Sequence, residues 1–252
     1  MLGNDVVDLR DRDARPETFR PGFDRRVFSE SERRAIAEDP NPLARRWAHW
    51  AAKEAAYKLA RQIDPTFVFA PRRLIACYAP MASEGAEKRE RRGSLLLEWP
   101  DIGLAPAPDS RPDSRPGKRR EPLELELRTD ESLERIHVIA APARTDWGGV
   151  DFAVESLGRE PQDPNTAVRE LAIREIGQRL GVAVERLSIG GRGRIPTLVF
   201  DDAPTDLSLS LSHHGKWVGY AMGLESHSEK DERSLASQQS TRPSVVTRVR
   251  TA

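Results

Sequence analysis

The segment around residue 50 carries the side chains whose types and spacing most suggest chemistry. On an α-helix Trp50, Glu54 and Lys58 lie on one stripe, so an aromatic ring, a carboxylate and an ammonium follow one another. At the margin of a core, a ligand could lie against such a stripe. An ordinary explanation exists as well, because Glu54 and Lys58 at this spacing form a helix salt bridge worth about 0.3–0.5 kcal/mol. Spacing alone leaves both explanations open.

The helix that must position this stripe has clear ends. Pro42 stands where a first-turn proline is tolerated, residues 43–63 contain neither Gly nor Pro, and Asp64-Pro65 ends the helix. A second stripe predicts a core face in which small alanines let another element pack closely. Its members are Trp47, Ala51, Ala55 and Leu59.

Two carboxylates lie in elements that precede this helix. Asp5 begins a short β-branched stretch, residues 5–9, which predicts a strand. Glu32 falls in the first turn of a predicted helix that Ser29 caps and that should stop near Pro40.

A serine and a histidine lie far along the chain, at Ser212-His213. They form a predicted turn between two strands, at 207–211 and 217–222. Before them, residues 167–180 carry an imperfect helical stripe of apolar side chains, and Gly181 is a suitable C-terminal cap.

The rest of the chain predicts an α+β protein with two halves. Residues 95–99, 123–127 and 136–140 have strand character and suggest an antiparallel sheet beside the long helix. Residues 105–120 form a Pro-rich insert that cannot bury a core, and we expect it to be disordered, as we do the polar tail 225–252.

Composition limits the function classes. Lys plus Arg number 40 and Asp plus Glu also number 40, so no overall charge favours a nucleic-acid or membrane binder. The single cysteine, Cys77, excludes an internal disulfide and fits a reducing compartment. The chain shows no signal-peptide pattern at its start and no run of about 18 apolar residues. We therefore expect a cytoplasmic protein.

Taken together, these segments resemble the 4′-phosphopantetheinyl transferase superfamily. Three motifs lie in the first part of the chain: Gly3-Asn4-Asp5, like a Gly-x-Asp strand; Phe28-Ser29-Glu30-Ser31-Glu32, like Phe-Ser-x-x-Glu; and Trp50-x-x-Lys53-Glu54-x-x-x-Lys58. Two more lie further along: the glycine-rich Gly191-Arg192-Gly193-Arg194-Ile195-Pro196, and Ser210-Leu211-Ser212-His213, like Ser-x-Ser-His. In long members of this family the Ser-His turn precedes the Gly-x-Asp strand. Here the order is reversed, as in a circular permutation or in the motif order of holo-acyl-carrier-protein synthases.

The resemblance implies a fold of two similar halves, each with an antiparallel sheet and a long helix, that form a pseudo-dimer. We expect residues 1–157 to be the metal-binding half and residues 165–224 the coenzyme-A-binding half. Because two halves in one chain would form the composite cleft internally, we expect a monomer.

The implied activity is Mg²⁺-dependent transfer of the phosphopantetheine arm of coenzyme A to a serine of an acyl or peptidyl carrier protein. The family assigns Mg²⁺ to Asp5 and Glu54, with the coenzyme A pyrophosphate and waters completing the coordination. Lys58 would hold a phosphate oxygen, and Glu32 would accept the serine proton. Fatty-acid, polyketide and nonribosomal-peptide carriers all remain open as partners.

Four residues are assigned to the nucleotide end or its surroundings. Ser212, His213 and Arg194 would receive the nucleotide, including its 3′-phosphate. Lys53 would orient Glu32 or touch phosphate. Each role has a structural alternative, such as a helix-start acid for Glu32, a strand-end group for His213 or a solvated charge for Arg194.

One position departs from the family pattern. Long members often carry a second acid two residues after the first, and here that residue is Val7. We expect a water in its place, with Asp8 as the second choice of ligand. This departure motivates an alternative function, a catalytically silent relative that binds coenzyme A or a carrier protein. A third possibility is an unrelated protein, which a large separation of Asp5 and Glu54 would establish.

Overall fold

The computed structural model describes residues 1–79, 88–99, 121–158, 162–192 and 195–223. The Pro-rich insert at 105–120 and the tail from residue 225 lie outside the described residues, so the prediction of disorder for them stays a prediction.

Four α-helices are present in the described residues, and their ends follow local capping chemistry. They are α1 (Phe23–Val27), α2 (Glu30–Glu38), α3 (Pro42–Ile63) and α4 (Pro164–Leu180). Asn41 and Asp163 cap α3 and α4 through their side chains, each just before a first-turn proline. Gly181 ends α4 in the left-handed conformation, with φ 65°. None of the described helices is long and apolar enough to cross a membrane.

Eleven strands lie in the described residues. They are β1 (Gly3–Asp8), β2 (Ile75–Tyr78), β3 (Lys88–Leu97), β4 (Leu123–Ser132), β5 (Arg135–Pro142), β6 (Val150–Ser156), β7 (Leu187–Arg192), β8 (Ile195–Phe200), β9 (Ala203–Pro204), β10 (Ser208–His214) and β11 (Trp217–Gly223). The first five form one antiparallel sheet in the order β1-β5-β4-β3-β2, with α3 packed against it. The others form two three-stranded sheets, β10-β11-β6 and β7-β8-β9, beside α4.

The predicted α+β class is therefore confirmed. The two units also share a strand order: β1-β5-β4 in the first corresponds to β6-β11-β10 in the second, and in each the leading strand precedes a long helix. This correspondence supports two similar halves. Strand β6 lies before the predicted break at 158–164, yet it pairs with β11 of the second unit.

Close packing of α3 on β1 depends on small residues. Six alanines of α3 are fully buried at 0% exposure: Ala48, Ala51, Ala52, Ala55, Ala56 and Ala60. A Cβ atom on Gly3 of β1 would lie 2.0 Å from the Ala55 carbonyl oxygen, so only glycine permits this approach. The glycine of the Gly-x-Asp segment thus lets the helix come close to the strand that carries Asp5.

The two units meet where β10 runs alongside β1. The outer edge of β1 carries backbone N–H groups that no strand pairs, and side chains of β10 accept them. Ser208 Oγ accepts from Leu2 at 2.8 Å, and Ser210 Oγ accepts from Asn4 at 2.9 Å. A small apolar cluster that includes Leu2 and Ala221 lies beside these bonds.

Candidate functional site

Two carboxylates and one ammonium come together where α3 crosses β1. Lys58 Nζ donates to Asp5 Oδ1 at 2.9 Å and to the backbone oxygen of Asn4 at 2.9 Å. Burial and, after it, the negative charge of Asp5 raise the pKa of Glu54 to about 7 against the opposing effect of Lys58. Asp5 and Glu54 are therefore neighbours, which removes the main argument for an unrelated protein.

These two carboxylates fit a hard divalent cation. Their mutual repulsion, visible in the raised pKa of Glu54, is the kind that a bound cation would relieve. Across the residues that the structure describes, no group of three or more His, Cys, Asp or Glu could hold a metal. A magnesium ion held by Asp5 and Glu54 would thus take its other oxygen ligands from substrate and water.

The second and third residues after Asp5 along β1, Val7 and Asp8, are not available to such a site. Val7 is 2% exposed and belongs to the core between α3 and the first sheet. Asp8 is also buried, and its Oδ2 accepts the backbone N–H of Lys216 at 3.1 Å while Oδ1 accepts that of Arg10. Asp8 therefore holds the β10–β11 turn, and this use leaves it a poor second choice of metal ligand.

A cavity of about 280 Å³ opens beside the second unit. The N-terminal turns of α4, the glycine-rich strand β7, the start of β8 and one face of β10 form its walls. Its lining residues are Asn165, Val168, Arg169, Gly190, Gly191, Ile195, Pro196, Leu211 and His213. A helix N-terminus and an arginine side chain both favour an anion at this place.

His213 connects the cavity with the carboxylate pair. It is an exposed residue of β10, and partial burial lowers the pKa of its imidazole. The positive charge of Lys58 lowers that pKa further, whereas Asp163 and Asp5 raise it. The charges of Asp5 and Lys58 thus act on a side chain of the cavity wall, so the carboxylate pair and the cavity are neighbouring places. Together they are called the cleft.

Arg169 is a cavity residue that sequence reasoning missed. It lies on α4 and is exposed, and one guanidinium nitrogen donates to the Ile189 backbone oxygen at 2.8 Å. Arg194, the arginine predicted to bind the nucleotide, lies outside the described residues. The glycine-rich segment around it does reach the cavity, through Gly191, Ile195 and Pro196.

Ser212 faces away from the cavity. Strand β10 continues through His214, so Ser212 and His213 point to opposite faces. Ser212 is 4% exposed, accepts a hydrogen bond from the Asn4 side chain at 2.9 Å, and donates to the Gly219 backbone oxygen at 3.3 Å. Its side chain therefore joins the two units, and His213 alone of this pair reaches the cavity.

Glu32 and Lys53 form a buried ion pair apart from the cleft. They are 1% and 0% exposed, and Lys53 Nζ lies 2.7 Å and 2.8 Å from the two carboxylate oxygens. The ammonium also donates to the backbone oxygens of Pro71 and Leu74, so its three protons are committed. This places Lys53 where it orients Glu32, and not where it could touch a phosphate of a ligand in the cleft.

Glu32 itself has the environment of a structural carboxylate. It closes a capping box with Ser29 at the start of α2 and accepts the Ala76 backbone N–H at 3.0 Å. Although burial opposes it, His49, whose Nδ1 lies 3.5 Å from Glu32 Oε1, and the charge of Lys53 lower the pKa of Glu32 to about 2. A carboxylate so acidic and so enclosed is a weak proton acceptor. The helix-start alternative is the one that this geometry favours.

Trp50 packs among aromatic rings one helical turn before Glu54. Its indole contacts the rings of Phe23, Trp47 and Phe69 at centroid distances of 5.8, 6.5 and 5.8 Å. These edge and tilted contacts stabilise the helix turn that precedes Glu54.

Comparison with known families agrees with this geometry over the part of the chain that carries the carboxylate pair. Residues 1–67 match the model of the 4′-phosphopantetheinyl transferase superfamily. The comparison with curated proteins and the comparison with solved structures gave no match.

The match to the phosphopantetheinyl transferase superfamily confirms the resemblance drawn from the motifs. It covers β1 and all of α1, α2 and α3, and so contains Asp5, Glu54 and Lys58. The cavity with Arg169 and His213 lies outside the matched range. The assignment of that cavity rests on geometry alone.

Proposed function

We propose that this protein is an Mg²⁺-dependent 4′-phosphopantetheinyl transferase that acts on an acyl or peptidyl carrier protein. The observation that carries the proposal is that Asp5, Glu54 and Lys58 come together close to a cavity that Arg169 and His213 line. A carboxylate pair next to a cationic cavity suits a ligand with a diphosphate in its middle and a phosphorylated nucleoside at one end. Coenzyme A has this chemistry.

In the proposed complex the diphosphate lies at the carboxylate pair and the nucleoside enters the cavity. Asp5 and Glu54 would hold magnesium, which neutralises the diphosphate and stabilises the leaving group when bound. Lys58 pairs with Asp5 in the structure, and its ammonium is positioned to transfer this bond to a phosphate oxygen. Arg169 and His213 would meet the nucleotide end.

The reaction is a displacement at phosphorus. The hydroxyl oxygen of a carrier-protein serine bonds to the β-phosphorus, and the bond from that phosphorus to the bridging oxygen breaks. Adenosine 3′,5′-bisphosphate leaves with the bridging oxygen, and the serine proton passes to solvent water. Lys58 would stabilise the negative charge that develops on the phosphoryl oxygens. Glu32 takes no part in this proposal, because its carboxylate is enclosed by Lys53 and two backbone N–H groups.

The test is intact-mass detection of carrier modification. Purified protein is incubated with Mg²⁺, coenzyme A and a panel of apo carrier proteins drawn from fatty-acid, polyketide and nonribosomal-peptide systems. The expected result is a mass increase of one phosphopantetheine arm on at least one carrier, which is lost with Glu54→Ala. The matched control is Glu124→Ala, which removes an exposed carboxylate of β4 and should leave transfer unchanged.

Two results would count against the proposal. One is an unmodified panel under conditions where a known transferase modifies every member. The other is transfer that Glu54→Ala does not reduce. Because Val7 stands in the core where long members often carry an acid, a silent coenzyme-A-binding relative is the rival function. Coenzyme A binding that needs neither Mg²⁺ nor Glu54, without transfer, would favour that rival.

A further inference from the structure

Asn4 is buried at the boundary between the two units, next to Asp5 in β1. It is 0% exposed, and its side-chain nitrogen lies 2.9 Å from Ser212 Oγ and 3.1 Å from His137 Nε2. His137 belongs to β5 of the first unit and Ser212 to β10 of the second. One amide group therefore bridges the two units.

The direction of these two bonds follows from their partners. Ser212 has one hydroxyl proton and lies 3.3 Å from the Gly219 backbone oxygen, so it donates there and accepts from Asn4. Burial lowers the pKa of His137 to about 3, so its imidazole is neutral and can accept at Nε2. The Asn4 amide thus donates both of its protons, one to each unit.

Stability alone does not explain an asparagine here. Among the described residues, Asn4 Oδ1 is a buried oxygen without a hydrogen-bond partner. A buried acceptor without a partner costs folding free energy, and an apolar side chain would avoid that cost. The amide therefore has a polar atom that the fold does not use, so we look for its purpose in the cleft.

Asn4 adjoins the carboxylate pair on one side and the strand of the cavity wall on the other. Its backbone oxygen accepts from Lys58 Nζ at 2.9 Å, and the next residue is Asp5. On the other side, Ser212 is followed by His213 of the cavity wall. The Asn4–Ser212 hydrogen bond is therefore a short connection between the carboxylate pair and the cavity.

We propose that Asn4 is a positioning residue that fixes the spacing between the carboxylate pair and the cavity by its hydrogen bond to Ser212. The inference rests on the proposed function, in which coenzyme A spans both places. A ligand that binds two places at once gains affinity from their fixed spacing, whereas a fragment that fills one place does not. Loss of the bond should therefore weaken the whole ligand and spare its fragments.

The experiment compares the affinities of one spanning ligand and two fragments for Ser212→Ala. The probes are coenzyme A with Mg²⁺, adenosine 3′,5′-bisphosphate without metal for the cavity, and Mg²⁺-pyrophosphate for the carboxylate pair. We expect coenzyme A to bind about tenfold more weakly, and each fragment to change by less than about twofold. Asn4→Leu, which keeps the branching and the number of side-chain heavy atoms, should give the same pattern from the other partner.

The matched control is Ser208→Ala. Ser208 lies on the same strand, is similarly buried at 7% exposure, and also bonds across the boundary, but to the Leu2 backbone N–H. All three probes should bind this variant as they bind the unmodified protein. Thermal unfolding and circular dichroism of each variant establish that it is folded.

The outcomes separate this inference from the proposed function. If the unmodified protein binds no coenzyme A, the proposed function fails. If it binds coenzyme A, the inference is overturned when Ser212→Ala binds it normally, when the fragments weaken as much as the whole ligand, or when Ser208→Ala gives the same loss.

Discussion

Replacing Lys53 by alanine should destabilise the fold and leave ligand binding almost unchanged. The substitution removes an ammonium that is 0% exposed and leaves the Glu32 carboxylate, 1% exposed, without its charge partner. Breaking a buried ion pair in this way costs about 3–5 kcal/mol, because an uncompensated charge stays inside the protein. Two backbone oxygens, of Pro71 and Leu74, lose a donor as well.

The loss of stability at acid pH gives a second estimate of how much the ionised Glu32 carboxylate contributes to the free energy of unfolding. The pKa of Glu32 is about 2, against 4.5 for the free side chain. Because the folded-state pKa is the lower one, the interactions of ionised Glu32 with His49, Lys53 and the Ser29 N–H stabilise the protein above pH 4.5, and this contribution is lost as pH falls towards 2. At about 1.4 kcal/mol per pKa unit it amounts to about 3 kcal/mol, close to the estimate for Lys53→Ala.

The assay is thermal unfolding at pH 7, followed by coenzyme A binding well below the unfolding temperature. For a chain of this size about 1 kcal/mol corresponds to about 2–4 °C, so the midpoint for Lys53→Ala should fall by about 6–20 °C. Lys58→Ala is the matched control on the same helix. Its ammonium is partly exposed, so we expect a small change in midpoint and a large loss of affinity.

The reasoning would be refuted by the reverse pattern for Lys53. An unchanged unfolding midpoint together with a tenfold loss of coenzyme A affinity would show that Lys53 reaches phosphate. The pair Glu32→Gln and Lys53→Met adds a second check. The losses of unfolding free energy in the two single variants should add up to more than the loss in the double variant, because the double variant leaves no buried charge unpaired.

Three further outcomes follow from the structure. Arg169→Ala should lower the affinity for coenzyme A about tenfold and that for 3′-dephospho-coenzyme A by less than about twofold, as measured by calorimetry. Arg186→Ala, which removes an arginine paired with Asp201, is the control. Equal losses of affinity for both ligands would disprove a contact between Arg169 and the 3′-phosphate. Gly3→Ala should cost at least about 1–3 kcal/mol in urea unfolding, since its Cβ would meet the helix backbone at 2.0 Å. A circularly permuted chain that joins the end of β11 to the start of β1 and has new termini between β6 and α4 should fold and keep activity. The reason is that Gly223, at the end of β11, lies against Leu2, just before β1. An insoluble or inactive permutant would contradict this.

The long helix could be predicted from sequence almost to the residue. It was expected at 43–63 and spans Pro42–Ile63, because an asparagine cap, a first-turn proline and an Asp-Pro stop all act locally. The Ser29 cap of α2 was equally local. Strand β6 was missed, since its burial pattern shows no clear alternation and its partner β11 lies some sixty residues away.

The roles of residues within the site were harder to predict because they depend on which side of a strand or helix each side chain occupies. The expected turn at Ser212-His213 is part of a continuing strand, and strand geometry then sends the two side chains to opposite sides. The capping box at Ser29 already implied that Glu32 turns back towards the chain. No local signal distinguished Arg169 from its neighbours on α4, because the cavity wall opposite it comes from β7 and β8.

The contact between β1 and β10 has a consequence for how the protein is made. The Asn4 N–H and its acceptor, Ser210 Oγ, are separated by 206 positions along the chain. At typical rates of synthesis, the strand that bears Asp5 waits on the order of 10–40 s for β10 to emerge from the ribosome. During that interval the outer edge of β1 has unpaired backbone groups, a feature that invites pairing with other strands. A nascent chain would thus depend on rapid synthesis, or on a chaperone that shields the edge of β1. The proposed enzyme could acquire its activity only after β10 had been synthesised.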